Sequence, residues 1–158
     1  MKFKDDPLVT DLVGRKTSKL DPYVSFFGVC DELSSHIMEN RTLIQNELER
    51  SELETIVRKL SIIMGEVAGG KTKLEERDLE DLLQLIKKYE INNGVVSVFV
   101  LPGQTPISSH IHITRCVARR CEIEYAKVYH THGGSDLIFE YLNKLSTFFY
   151  YFALKYEK

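Results

Sequence analysis

A chain of 158 residues, 43% hydrophobic and 28% charged, can bury a core and stay dispersed, which excludes a disordered segment and a disulfide-stapled miniprotein. Its formal net charge of -2 offers no field for nucleic acid or an acidic membrane surface. No apolar run approaches the roughly 20 residues of a membrane span, and the start of the chain (Lys2, Lys4, Asp5, Asp6) lacks a signal-peptide core, so a cytoplasmic protein with no membrane or nucleic-acid partner is expected.

Residues Met1 to Leu20 show no clean period. Gly14 and the cations Arg15, Lys16 and Lys19, interspersed with Thr10, Thr17 and Ser18, could cradle phosphate, but no GxxxxGK[ST] pattern occurs. On spacing alone this is a flexible N-terminal arm. Asp21-Pro22 then reads as N-cap and first helical residue, with Val24, Phe27, Cys30, Leu33 and Ile37 following at helical spacing. Asp31 lies on this helix and gains interest only if a cation meets it. The pattern falters around Asn40 to Asn46. Ser51 can cap a second helix with the stripe Leu53, Ile56, Leu60, Ile63 and Val67, which Gly69-Gly70 ends. Leu79, Leu82, Leu83, Ile86 and Tyr89 mark a third helix. These two helices read as scaffold.

Asn92-Asn93-Gly94 breaks the pattern before the only strongly β-prone run, Val95 to Leu101, which Pro102-Gly103 stops. One short strand cannot form a sheet, so an extended connector laid on the bundle is expected. On composition alone Phe99 belongs to the core. Thr105-Pro106 opens a fourth helix, which leaves through His130 to Gly134. Ser135 or Asp136 caps a fifth, the most apolar segment, with Asn143 beside its stripe. Cys30, Cys116 and Cys121 form an odd set without CxxC spacing, so small core or interhelical residues are expected rather than a zinc site or disulfides. His110 and His112 diverge on a helix, and no Glu-x-x-His occurs, which removes a di-iron carboxylate bundle and leaves no expected protein metal site. The whole reads as one domain over residues 1–158: an arm at 1–20 and an all-α, five-helix, mostly antiparallel bundle at 21–158.

The fourth helix carries the pattern with most chemistry. A helix turns roughly 100° per residue, so Arg115, Arg119 and Glu122 share one narrow arc. Two arginines one turn apart above a carboxylate can fix an anion. On spacing alone a solvated face of i,i+3 and i,i+4 ion pairs is the simpler reading.

Four ordered blocks resemble a known family. Phe99-Val100-Leu101-Pro102-Gly103, followed by Arg115, Arg119-Arg120 and Glu122, resembles the FxLPGG…RxxxRRxE signature of the PduO-type ATP:cob(I)alamin adenosyltransferases. Lys19 to Pro22 with Phe27-Gly28-Val29-Cys30-Asp31-Glu32-Leu33-Ser34-Ser35 looks like the YGxxDELNS block and its preceding lysine. Tyr141-Leu142-Asn143-Lys144-Leu145-Ser146 is similar to FLNRLSD. The resemblance covers about residues 12 to 158. It implies a five-helix up-down bundle of ferritin-like architecture, assembled as a homotrimer with active sites between subunits. It also implies transfer of the 5′-deoxyadenosyl group of ATP, with Mg²⁺, to the cobalt of cob(I)alamin or a related corrinoid, and a reductase partner that supplies the reduced corrinoid.

Carried over by position, Arg119 would contact the ATP phosphates or ribose and support the transition state. Arg115 would pair with Asp31 of a neighbouring subunit. Glu122 would hold the arginine helix or the nucleotide, Phe99 would close the lower face of the corrin, and Asn143 would lie near nucleotide and corrin. Lys19 and Arg15 would belong to the phosphate loop. Three departures stand out: no TGDxGxT loop is recognisable in Lys2 to Val13, Gln104 replaces the second glycine of the turn, and the RRxERR run reads Arg119-Arg120-Cys121-Glu122-Ile123-Glu124. They fall on the phosphate side and motivate a second expectation, a non-catalytic corrinoid- or nucleotide-binding homologue acting as carrier, chaperone or sensor.

Overall fold

The computed structural model of the protein describes residues 8–10, 14–93 and 98–158. Most of the sought phosphate loop, and residues 94–97 of the β-prone run, lie outside the described residues. The elements are β1 (Leu8–Thr10), β2 (Lys16–Ser18), α1 (Pro22–Leu43), α2 (Glu47–Val67), α3 (Glu76–Asn93), α4 (Pro106–His132) and α5 (Asp136–Lys155).

Local chemistry sets most boundaries. Asp21 caps α1 by accepting from the Tyr23 amide at 2.9 Å, with Pro22 in the first turn. Thr105 and Ser108 form a capping box at the start of α4, and Ser135 caps α5 through the Ile138 amide. The second helix corrects the expectation of a Ser51 cap: it starts one turn earlier, where Asn46 accepts from the Glu49 amide at 3.0 Å. Residues 8–10 and 14–20, the described part of the expected arm, are more regular than a flexible arm. β1 and β2 pair antiparallel in the register Leu8↔Ser18, Val9↔Thr17 and Thr10↔Lys16, and Lys16 Nζ donates to Thr10 Oγ1 at 2.8 Å. Val and Thr on the strands favour extended backbone, and Gly14 supplies φ +84° on the return.

Cross-helix contacts give the directions. Phe26 packs on Tyr125, Cys30 on Cys121 and Asn40 on Thr114, so positions on α1 rise as those on α4 fall and the two are antiparallel. Tyr125 with Phe139, Glu122 with Asn143 and Thr105 with Tyr156 make α4 and α5 antiparallel as well. Tyr89 meets Phe148 and Phe152 while Asn93 donates to the Tyr151 carbonyl, so α3 runs with α5. Each helix thus reverses the one before it, giving the expected up-down bundle. The start of α4 and the end of α5 lie at one end of the bundle with the connector, and β1 and β2 lie at the other. Phe26, Leu33, Leu60, Tyr125, Leu142, Phe148 and Phe149 belong to one core cluster. Among the described residues no helix is long and apolar enough to cross a membrane.

Cys30 and Cys121 lie 3.2 Å apart in the core as free thiols, in the interhelical role expected of them. The contact with Cys121, then burial, pushes the Cys30 thiol well up, so it stays protonated. Cys116 departs from expectation: its place on α4 turns away from both packing neighbours, and it is exposed.

Asp78 fastens α3 to α2. Its carboxylate accepts from the Glu75 amide at 2.9 Å and pairs with Lys59 at 2.8 Å. Burial pushes this carboxyl up, but the Lys59 hydrogen bond, the Glu75 amide and the charges of Lys59 and Arg77 outweigh it and hold the group below its ordinary range. A depressed carboxyl contributes stability above its unfolded pKa of about 4 and loses it as pH falls through the folded value. Asp78→Asn is therefore expected to cost about 1 to 2 kcal/mol at neutral pH, with the difference shrinking towards about pH 2.5. Urea unfolding across that range checks it; an equal loss at every pH would contradict the assignment.

Candidate functional site

The arginine face of α4 is built by packing on two neighbours. Thr114, Cys121 and Tyr125 meet α1, and Ile111, Val117, Ala118 and Val128 complete the buried face. Arg115, Arg119 and Glu122 fall between this buried surface and solvent. The solvated ion-pair ladder is not what forms. Arg115 is half-buried and donates from Nε to His112 Nδ1 at 3.3 Å. Glu122 Oε1 accepts from Asn143 Nδ2 at 2.9 Å, which ties α4 to α5. Arg119 stands exposed between these two fixed neighbours and makes no ion pair among the described residues. Arg120 points elsewhere, pairing with Glu32 on α1. The row thus offers one uncommitted guanidinium flanked by two oriented groups.

The connector enters α4 through Pro102, Gly103 and Gln104. Gly103 takes φ +84°, and a Cβ there would come within 2.9 Å of Ser109 Oγ, so the turn requires glycine. Its amides are held by a residue that sequence reasoning missed. Glu157 accepts from the Gly103 amide at 3.2 Å and from the Gln104 amide at 3.4 Å, and its side chain is only 5% exposed. Burial pushes the Glu157 carboxyl up, but hydrogen bonds from Ser108 and from the Gly103 and Gln104 amides hold it below the usual range. His112 is buried beside it. Burial first, then the Arg115 guanidinium, push the imidazole below its ordinary pKa, so it is neutral at neutral pH and its Nδ1 can accept.

Pinned this way, the connector turns its apolar side chains outward. Phe99 is 85% exposed, with Val98 and Leu101 also exposed, which overturns the expectation of a core Phe99. An exposed aromatic between two aliphatic neighbours is a surface for a flat apolar partner.

At the other end, Val9, Thr10, Arg15 and Thr17 roof a cleft of ≈ 200 Å³ floored by Tyr23, Val24, Phe27, Val67 and Ala68. Arg15 lies on its wall, and Lys19 sits in the turn between β2 and α1. Phe27 also borders a second groove, of ≈ 500 Å³, with Gly28, Asp31, Ser61, Met64 and Gly65. Asp31 therefore faces the α2 side of α1. Because the adjacent Glu32 meets Arg120, Asp31 and Arg119 stand at one level of the bundle, on different faces.

The structure brings Glu122 and Asn143 together and sets Arg115 and Arg119 beside them; it does not bring Asp31 to Arg115, nor Arg15 or Phe99 to the row, within one chain. His112 and Glu157 gave no motif. Their only signal was a histidine three residues before Arg115, too common a spacing to act on.

The sequence profile of the cobalamin adenosyltransferase family matches residues 4–156. A corrinoid adenosyltransferase of Bacillus subtilis is 30% identical over 153 residues, 89% of this chain and 77% of that protein. A corrinoid adenosyltransferase of Citrobacter freundii is 29% identical over 140 residues, 84% of this chain and 80% of that protein. The solved structure of a variant PduO-type adenosyltransferase from Lactobacillus reuteri, complexed with ATP, superposes with a TM-score of 0.85 at 26% identity, covering 94% of this chain and 88% of that one.

The Glu122–Asn143 bond gives a direct check on the packing of α4 against α5. Asn143→Asp would oppose two carboxylates at hydrogen-bond distance in a partly buried place and is expected to cost about 1 to 3 kcal/mol at neutral pH. Lowering the pH through the carboxylate range should restore it. Unfolding of the variant indistinguishable from the parent at neutral pH would place the two side chains apart.

Proposed function

The chain belongs to the cobalamin adenosyltransferase family, and we propose on that premise that it transfers the 5′-deoxyadenosyl group of ATP to the cobalt of cob(I)alamin or a related corrinoid. The observation that carries this reading is Arg119: an exposed guanidinium without an ion pair among the described residues, about one helical turn from Arg115, held by His112, and from Glu122, held by Asn143.

The reaction needs little from the protein beyond placement. The electron pair of cobalt(I) attacks C5′, a cobalt–carbon bond forms, and the C5′–O bond breaks with its electrons leaving on triphosphate. Cobalt rises from the +1 to the +3 state, and no external oxidant is required. Cobalt(I) is already a strong nucleophile, so neither a general base nor a protein nucleophile has to activate it. What must be supplied is alignment of cobalt with C5′ and compensation of the charge growing on the leaving oxygen. Arg119 meets that charge. Arg15 on the cleft wall, with Lys19 nearby, takes the outer phosphates. Mg²⁺ arrives with ATP, held by phosphate oxygens as is usual for this ion. Phe99 lies against the lower corrin face and excludes water and the lower axial ligand. Asn143 and Glu122 border nucleotide and corrin.

One copy does not gather these groups, and we place the site between neighbouring copies. Rotation about an axis parallel to the helices keeps heights unchanged, so the Asp31 face of one copy can meet the arginine face of the next at the same level. A homotrimer with Arg115 paired to Asp31 of its neighbour satisfies this, in the cytoplasm and with a reductase supplying the corrinoid. The missing glycine-rich phosphate motif favours a second reading, a non-catalytic carrier. Titration with Mg²⁺-ATP separates the two, since a pure corrinoid binder takes up none.

Arg119→Ala is expected to lower formation of adenosylcobalamin from cob(I)alamin and ATP by at least about 100-fold. Its unfolding free energy should change by less than about 0.5 kcal/mol, since the side chain is exposed and makes no ion pair. Near-normal turnover would remove Arg119 from the site. A double-mutant cycle of Arg115→Ala and Asp31→Ala, read in kcat/KM, should give a coupling of about 1 kcal/mol or more; additive losses would reject the pairing.

A further inference from the structure

Glu157, His112 and Arg115 lie in a row under the surface, with one made hydrogen bond and one close contact between them. Glu157 holds the amides of Gly103 and Gln104 at 3.2 and 3.4 Å, and its Oε1 lies 3.5 Å from His112 Nε2. His112 Nδ1 in turn accepts from Arg115 Nε at 3.3 Å. The side chains of His112 and Glu157 are 12% and 5% exposed, so water competes little for either link. One tautomer serves both contacts: Nδ1 without a proton faces the Arg115 N–H, and the Nε2 proton faces Glu157. At 3.5 Å the Nε2 link is a close contact rather than a made hydrogen bond, and Nε2 has no other partner. A few tenths of an ångström in the connector turn would close it.

We propose that Glu157 and His112 are positioning residues for adenosyl transfer, coupling the connector that carries Phe99 to the orientation of Arg115. This rests on the function proposed above. Pressure on the exposed Phe99 from a corrin is borne at the turn by Glu157, whose carboxylate accepts from both turn amides and lies against the imidazole. A shift of the turn therefore moves the hydrogen-bond acceptor that fixes Arg115. Protonated His112 would present an N–H to Arg115 instead of an acceptor; burial and the neighbouring guanidinium both oppose that state.

The test uses the full chain in three variants. Asparagine can place a carbonyl oxygen near Nδ1, whereas phenylalanine fills the space without an acceptor. His112→Phe is expected to lose about tenfold or more in kcat with a smaller change in KM for ATP, and His112→Asn to stay within about threefold of the parent. Glu157→Gln is expected to speed hydrogen exchange at the Gly103 and Gln104 amides and to shift the ¹⁵N-detected Arg115 Nε–H resonance, though Glu157 does not touch Arg115. That resonance is read without turnover, so an inactive parent chain would defeat the proposed function while leaving the coupling decidable. Equal kcat in the two His112 variants, or an Arg115 Nε–H signal unmoved by Glu157→Gln, overturns the proposal. If His112→Phe fails to fold, the Glu157→Gln resonance decides alone.

Discussion

A 27-residue helix flanked by α1 and α5 can present only one narrow strip of side chains for chemistry, and the register of its packing decides which strip. In this protein the α1–α4 contact fixes that register. Phe26 against Tyr125, the Cys30–Cys121 thiol pair and the Asn40–Thr114 bond at 2.7 Å are spread along the seam. The polar member is the most discriminating, because sliding the helices by one turn would leave both Asn40 Nδ2 and Thr114 without each other in a fully buried place. Once α4 is set, Glu122 reaches Asn143 on α5, Arg115 lies half-buried against His112, and Arg119 is left to solvent. Asp31 and the groove beside it follow from the same seam, one residue away from the Glu32–Arg120 pair.

The proposed site is accordingly a set of oriented polar groups rather than a catalytic triad. Each group near the arginine row has its orientation fixed by a second group: Arg115 by His112, Glu122 by Asn143, and the connector by Glu157. Arg119 makes no ion pair among the described residues. That distribution suits a reaction whose nucleophile is potent and whose barrier lies in alignment and leaving-group charge.

Much of this was legible in the sequence where a local rule governs the outcome. Asp21-Pro22, Thr105-Pro106 and Ser135 mark their helix starts because a cap depends on neighbours within three residues. The start of α2 was not legible. Its first turn puts Leu48 out at 62% exposure and buries Glu49 at 2%, where Lys155 and Tyr156 satisfy it, so the apolar period is inverted there by partners more than a hundred residues away. Phe99 failed for a related reason: its composition argues for burial, and a carboxylate 58 positions later holds its turn outward. The arginine row was visible as a pattern, but whether it formed an ion-pair ladder depended on Asn143 and His112 offering better partners. The β1–β2 pairing escaped because three-residue strands carry no period to detect.

The central claim is that two copies complete one site, one giving Asp31 and the other Arg119. The most direct measurement mixes two separately inactive proteins, Asp31→Ala and Arg119→Ala, after dissociation and reassembly, and follows adenosylcobalamin formation. In a shared-site homotrimer each mixed assembly retains one site free of both substitutions, so an equal mixture should recover about a quarter of parental turnover. A mixture as inactive as its components, with exchange of subunits verified, would contradict the account.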